Sequence, residues 1–123
     1  MIRIVVRGQI NKQEIADFTK KFLGDKASVD IKGDLDAAMA LKNGQYDYYI
    51  GACNTGGGGA LALALALLGA ENCATISMPG KIFPDEEIIA AVQNGKKAFG
   101  FTAQHAENVL PVLLKAITEK EGE

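Results

Sequence analysis

The sequence predicts a three-layer α/β/α fold, a five-stranded parallel sheet with helices on both faces. Three observations carry this. Short apolar runs rich in β-branched residues alternate with helical patterns along the whole chain, the order expected of parallel strands joined by right-handed crossovers. Turn residues separate the runs, with no linker, repeat or low-complexity stretch between them. Near the middle, a buried strand enters a loop of four consecutive glycines that opens a helix of alanine and leucine.

In order, Ile2 to Val6 is the first strand, and Arg7, Gly8 and Gln9 turn at its C-terminal end. Asn11 with Glu14 has the spacing of an N-cap and its N3 acid. The helix it opens carries Ile15, Phe18, Phe22 and Leu23 on one face and stops at Gly24. Ala27 to Ile31 is a second, weaker strand. Asp34 is expected to cap a second helix, with Leu35, Ala38, Met39 and Leu41 inward and Gly44 as the stop. Tyr48 to Ala52 is the third strand. Cys73 to Ser77 forms a fourth, followed by the Met78 to Lys81 loop. Pro84 and Asp85 open a helix that carries Ile88, Ile89 and Val92 and closes at Gly95. Ala98 to Thr102 is the fifth strand. The final helix runs from about Ala106 to Thr118, with Pro111 a source of strain, and the polar stretch to Glu123 is expected to fray. The strand order for this count is 2-1-3-4-5, the flavodoxin-like arrangement, with ligands at the C-terminal strand ends.

The segment Ala60 to Leu67 alternates as a strand would, yet alanine and leucine are strong helix formers and no β-branched residue interrupts them. At about 100° per residue, Leu61, Leu65 and Leu68 share one side and Leu63 and Leu67 the other. A helix that is apolar all round must be covered on two faces. It is shorter than the roughly 20 residues that span a bilayer. A homo-oligomer is the expected way to cover its second face.

The 123 residues are expected to form a single domain, 48% apolar and 23% charged, with a formal net charge of −2. The two arginines, Arg3 and Arg7, make no basic stripe, so nucleic acid is not an expected partner, and neither is a membrane. No signal-peptide pattern opens the chain, so the expected location is the cytoplasm. Cys53 and Cys73 match no zinc spacing. They fall at opposite sheet edges about 16 Å apart, too far for a disulfide. No cofactor or metal is called for.

The candidate site lies at the glycine loop. A glycine-rich entry to a helix N-terminus offers unpaired N–H groups and a partial positive charge to an anion. Asn54, Gly56, Gly57, Gly58 and Gly59 are the expected backbone ligands, with Arg7 and Gly8 alongside from the first strand. The loop lacks the lysine and following hydroxyl of a P-loop and the spacing of a dinucleotide fingerprint. Gly59 also stands where a phosphatase loop has its arginine. Cys53 is either a small apolar strand-end residue or a thiolate favoured by the helix N-terminus, and so a base or nucleophile. Thr55 supplies a hydroxyl beside it. His105 is either a helix-entry residue or a catalytic acid–base group. Arg7 either pairs with an anion or solvates its turn.

The run Gly44 to Ala66, with Cys53, Thr55, Gly56 and Gly58 in place, resembles the centre of the ribose-5-phosphate isomerase B and galactose-6-phosphate isomerase family. That resemblance implies that Cys53 moves a proton between carbons, with the Thr55-Gly56 backbone stabilising an enediolate. That family has an Asp-His pair where this chain has Arg7 and Gly8. Over nearly its whole length, through YYIGACNTGGGGALALALALLG, CATISMPG and AFGFTAQH, the chain resembles the YhfU-like family of small glycine-rich proteins of unknown function. This second resemblance implies a role in carbohydrate or phosphorylated-metabolite metabolism. Two function classes follow. One is a binding protein for an anionic metabolite, a sugar phosphate, at the glycine loop. The other is a sugar-phosphate aldose–ketose isomerase with Cys53 as base.

Overall fold

The computed structural model describes residues 1–7, 11–53 and 57–122. Strand β1 (Ile2–Arg7) leads to α1 (Lys12–Leu23), β2 (Ala27–Lys32), α2 (Asp34–Lys42) and β3 (Tyr48–Cys53). Then come α3 (Gly57–Leu68), β4 (Cys73–Thr75), β5 (Ser77–Met78), β6 (Lys81–Ile82), α4 (Asp85–Gln93), β7 (Ala98–Thr102) and α5 (Ala106–Glu121). The main sheet is five-stranded, ordered β2-β1-β3-β7-β4, and every pairing within it is parallel.

Alternation along the strands divides the core in two. Ile2, Ile4 and Val6 of β1, Tyr48 and Ile50 of β3, and Phe99 and Phe101 of β7 join the cluster under α1, α4 and α5. Val5, Tyr49 and Ala98 face the other way, into a cluster with Ala37, Ala38, Leu61 and Ala64 from α2 and α3. The expected three-layer parallel sheet is therefore present, with its 2-1-3 half as read from the sequence. The last two strands are exchanged. Numbered along the chain, the five parallel strands run 2-1-3-5-4, because Ala98–Thr102 pairs with β3 and Cys73–Thr75 lies at the edge. The physical reason is burial. All five residues of β7 are buried, whereas β4 is three residues long and partly exposed at two of them. A short strand suits an edge, and a fully apolar one must have neighbours on both sides.

Several local expectations are corrected. Cys73 to Ser77 is not one strand: Ser77–Met78 turns back antiparallel onto Lys81–Ile82. The Pro79-Gly80 turn between them has Gly80 at φ 76°, a conformation suited to glycine. Asn11 does precede α1, but in the left-handed region (φ 56°) and with no side-chain cap bond. Asparagine tolerates that region better than most residues. Phe22 is exposed, held against Phe18 with ring centroids 6.0 Å apart. Leu35 and Met39 are exposed because α2 turns its alanines, Ala37, Ala38 and Ala40, inward. The C-terminus does not fray at Thr118. Helix α5 continues to Glu121, whose carboxylate accepts a hydrogen bond of 2.7 Å from the Tyr48 hydroxyl.

Helix α3 is also rotated from its expected setting. Leu61 and Ala64 are buried, Leu65 and Leu63 are exposed, and Leu67 and Leu68 are half-buried. Gly51 and Gly100 are register partners on the face that α3 covers. Against that face Leu61 and Ala64 turn inward and Leu65 turns out. Among the described residues no helix is long and apolar enough to cross a membrane.

Candidate functional site

Parallel strands deliver their C-terminal ends, and the loops that follow, to one edge of the sheet. At that edge Arg7, Cys53 and Thr102 end β1, β3 and β7. Strand alternation puts all three on the α2–α3 face, the same side as Val5, Tyr49 and Ala98. Arg7 pairs in register with Gly51, and Cys53 with Thr102. Helix α3 starts at this edge and runs back over β3 and β7, so its N-terminal turn, Gly57 to Gly59, belongs to the same neighbourhood.

Arg7 is only 4% exposed. Its Nε donates to Asp34 Oδ1 at 2.8 Å, and its Nη2 lies 2.8 Å from the same oxygen. Its Nη1 donates to the Ala52 carbonyl at 3.2 Å. A buried guanidinium needs such partners to offset its lost hydration. Asp34, expected as a helix cap, is instead the first residue of α2 and the counter-charge of Arg7; Gly33 occupies the cap position. Arg7 thus ties β1, β3 and α2 together below the loops. It neither solvates a turn nor stands open to a ligand.

Thr102 has the opposite character. It is 2% exposed, and its backbone N–H donates to the Ser77 hydroxyl at 2.9 Å. Its own Oγ1 has no hydrogen-bond partner among the described residues. A buried hydroxyl left without a partner costs free energy on the order of 1–3 kcal/mol. His105 lies three residues on, at the end of the 3₁₀ turn Ala103–His105, in the N-cap position of α5. Its Nδ1 is buried and likewise has no partner there. Two buried polar atoms without partners among the described residues thus lie within one short segment, beside the strand that ends in Cys53. Cys53 is half-buried, whereas Cys73 is buried at the far side of β7, where burial pushes its thiol pKa up.

A cavity of about 300 Å³ opens on the other face of the same edge, between the starts of α1 and α5. Ile15, Phe18 and Leu110 form its apolar wall, with Glu14 and Glu107 among its polar residues. A second cavity, about 400 Å³, lies at the N-terminal edge and includes Arg3, Asp47 and Asn72. Those three are already bonded: Arg3 to Asp47, and the Asn72 amide to the Leu68 carbonyl. Its larger volume is not matched by unsatisfied chemistry, so the C-terminal edge is the better candidate.

Of the residues singled out in the sequence, the structure gathers Arg7, Cys53, His105 and the turn Gly57 to Gly59 at one sheet edge. Gly8, Asn54, Thr55 and Gly56 lie outside the described residues. Sequence reasoning missed Ser77 and the specific part of Thr102. The hairpin that positions Ser77 was signalled by Pro79-Gly80, but nothing local signals an unpaired hydroxyl. Nor does anything local pair Arg7 with Asp34, 27 residues away.

A family model described as "Protein of unknown function DUF2620" matches residues 2–117. The uncharacterised protein YhfU of Escherichia coli (strain K12) is 48% identical over 84 residues, covering 68% of this chain and 72% of that protein. YhfU of Shigella flexneri matches equally. Among solved structures, ribose-5-phosphate isomerase B from Giardia lamblia aligns with a TM-score of 0.70 over 94% of this chain and 93% of that one. At 16% identity that likeness is one of fold.

Proposed function

We propose that this chain, which belongs to the DUF2620 family, binds a phosphorylated sugar at the C-terminal edge of its sheet and acts in the cytoplasm. The observation that carries the reading is the buried, unpartnered Thr102 hydroxyl in register with Cys53. A sugar supplies hydroxyl and carbonyl oxygens that would satisfy it. The phosphate is assigned to the N-terminal turn of α3, where Gly57 to Gly59 present backbone N–H groups at the positive end of the helix. Charge supports this orientation. Glu14 and Glu107 flank the cavity on the opposite face and would repel a phosphate, while carboxylates readily accept bonds from sugar hydroxyls.

A second reading is favoured by Cys53 together with the fold shared with ribose-5-phosphate isomerase B. In it the Cys53 thiolate removes the proton from the hydroxyl-bearing carbon next to a carbonyl, giving an enediolate, and returns it to the former carbonyl carbon, while the hydroxyl proton passes to the former carbonyl oxygen. The proton and electron pair both stay within substrate and thiol, so no redox partner is needed.

The experiment is a thermal-shift screen of sugar phosphates and the corresponding free sugars on the wild type, Gly58→Val and Cys53→Ser. At a ligand concentration of about 100 Kd, binding stabilises the fold by about 2.7 kcal/mol, a readily measured shift. We expect stabilisation by a phosphorylated sugar, lost in Gly58→Val and kept in Cys53→Ser. Exchange of the substrate's C–H proton with deuterated water by the wild type and not by Cys53→Ser would establish the isomerase reading. No stabilisation by any phosphorylated sugar, or an unchanged shift in folded Gly58→Val, would overturn the site.

A further inference from the structure

On the face of the sheet opposite α3, the cavity between the starts of α1 and α5 has a chemistry of its own. Its volume, about 300 Å³, suits a small molecule rather than a chain segment. Ile15 and Leu110, each 1% exposed, and the half-buried Phe18 give it an apolar wall that belongs to the main core. Phe18 is held in that wall by its stacking on Phe22.

The charges around the cavity identify the occupant. Glu14 and Glu107 line it, and among the described residues no lysine, arginine or histidine joins them there. Neither carboxylate makes an ion pair among the described residues. They lie in the first turns of α1 and α5. Each helix N-terminus contributes about half a positive charge, so two carboxylates against two helix ends leave roughly one negative charge at the cavity. A monovalent cation neutralises that charge. A sugar hydroxyl can bond to one of the carboxylates but leaves the charge uncompensated, and a phosphate adds to it. Hydrogen bonding points the same way. Pro111 lies inside α5 and has no N–H, so the Glu107 carbonyl, four residues back, lacks its helical donor. An ammonium, with three donors and no acceptor, suits a set of two carboxylates and a freed carbonyl.

We infer that this cavity binds a small organic cation, a primary amine carried on an apolar body. The ammonium sits with Glu14 and Glu107, and the body lies against Ile15, Phe18 and Leu110. This site needs neither the α3 turn nor Cys53 and is independent of the sugar-phosphate reading.

The test is titration of the full chain with benzylamine, followed by amide chemical shifts in NMR. We expect saturable shifts centred on residues 14–18 and 103–110, with a Kd below about 1 mM. Benzyl alcohol, the same body without the charge, should bind about tenfold more weakly, and benzoate not at all. n-Butylamine, the equivalent of a lysine side chain, should bind more weakly than benzylamine because it buries less apolar area. Glu14→Gln and Glu107→Gln should each weaken benzylamine about threefold and leave benzyl alcohol unchanged, a split that a merely reshaped cavity would not give. Both positions are exposed, so urea melts should show folded protein. Gly58→Val should bind the amine as the wild type does, which separates this site from the phosphate turn. No saturable shift by about 10 mM benzylamine overturns the inference. So does benzyl alcohol bound as tightly, n-butylamine bound more tightly, or an affinity unchanged in the double variant Glu14→Gln/Glu107→Gln.

Discussion

The two ends of the sheet treat polar groups in opposite ways. At the N-terminal edge they are satisfied by each other. Asp47 takes hydrogen bonds from the Arg3 backbone N–H at 2.8 Å and from Nη2 at 3.0 Å, and its own N–H donates to the Arg3 carbonyl at 2.7 Å. Tyr48 reaches Glu121, and the Lys97 N–H meets the Asn72 carbonyl. At the C-terminal edge Arg7 is tied down, yet Thr102 Oγ1 and His105 Nδ1 are buried without partners among the described residues. An edge whose polar atoms bond one another contributes to stability. An edge that leaves buried polar atoms unmatched gives some of that stability up, the usual mark of a functional surface.

The comparison breaks most visibly at Asp47. Asp47→Ala removes the Arg3–Asp47 network between β1 and the start of β3, and we expect a loss of stability in urea unfolding at pH 7. The pH dependence sharpens this. Burial raises the Asp47 pKa, but the Arg3 hydrogen bonds and charge, helped by Lys97, outweigh it and hold the carboxyl below its usual value. A carboxyl depressed in the folded state stabilises fully above its unfolded pKa of about 4 and loses that contribution as pH falls through the folded value. The gap between wild type and Asp47→Ala should therefore be constant from pH 7 to pH 5 and close below about pH 4. A gap unchanged at pH 3 would mean that the network is not electrostatic.

A smaller effect is expected at the other contact of this edge. The Tyr48 hydroxyl is held un-ionised by burial and by its bond to Glu121, which raise its pKa well above the ordinary phenol range. Tyr48→Phe deletes that one bond and keeps the ring packed near Phe99, so the expected loss is about 1 kcal/mol. The same deletion should make the last turn of α5 exchange its amides faster by hydrogen–deuterium exchange. Unaltered exchange there would show that Glu121 is not what holds the helix end.

How much of this contrast could be read from the sequence depends on range. The strand and helix elements rest on local patterns, and Tyr48 to Ala52 or Ile88 to Val92 declare themselves within a few residues. The glycine loop, which pointed to the C-terminal edge, is likewise a local pattern. Strand order is non-local. The 2-1-3-5-4 arrangement follows from the greater burial of Ala98–Thr102 over Cys73–Thr75, a comparison of two strands rather than a property of either. The setting of α3 against the sheet is non-local too, so the reading at about 100° per residue that grouped Leu65 with Leu61 and Leu68 misplaced Leu65. The Arg7–Asp34 pair and the Tyr48–Glu121 bond join residues 27 and 73 positions apart. A bare hydroxyl at Thr102 is legible only once the surrounding bonds are known.

That hydroxyl supplies the smallest stability effect and the most direct test of the contrast. Valine has nearly the shape of threonine and no polar atom. If Thr102 Oγ1 is unpartnered in the resting protein, Thr102→Val removes a buried desolvation cost and should raise stability by about 0.5–1 kcal/mol. The backbone N–H of residue 102 keeps its bond to Ser77, so the strand and hairpin remain in place. Ser77→Ala is the control, because it strips that N–H of its acceptor and should lower stability by about 1 kcal/mol. The sign of the Thr102→Val change in urea unfolding therefore separates the two edges, and the same protein in the sugar-phosphate thermal-shift screen separates function from packing. A stabilised variant that no longer responds to ligand is what a hydroxyl kept for a ligand predicts. A variant destabilised by more than about 1 kcal/mol would show that the hydroxyl is already bonded inside the fold, and would remove the distinction between the edges.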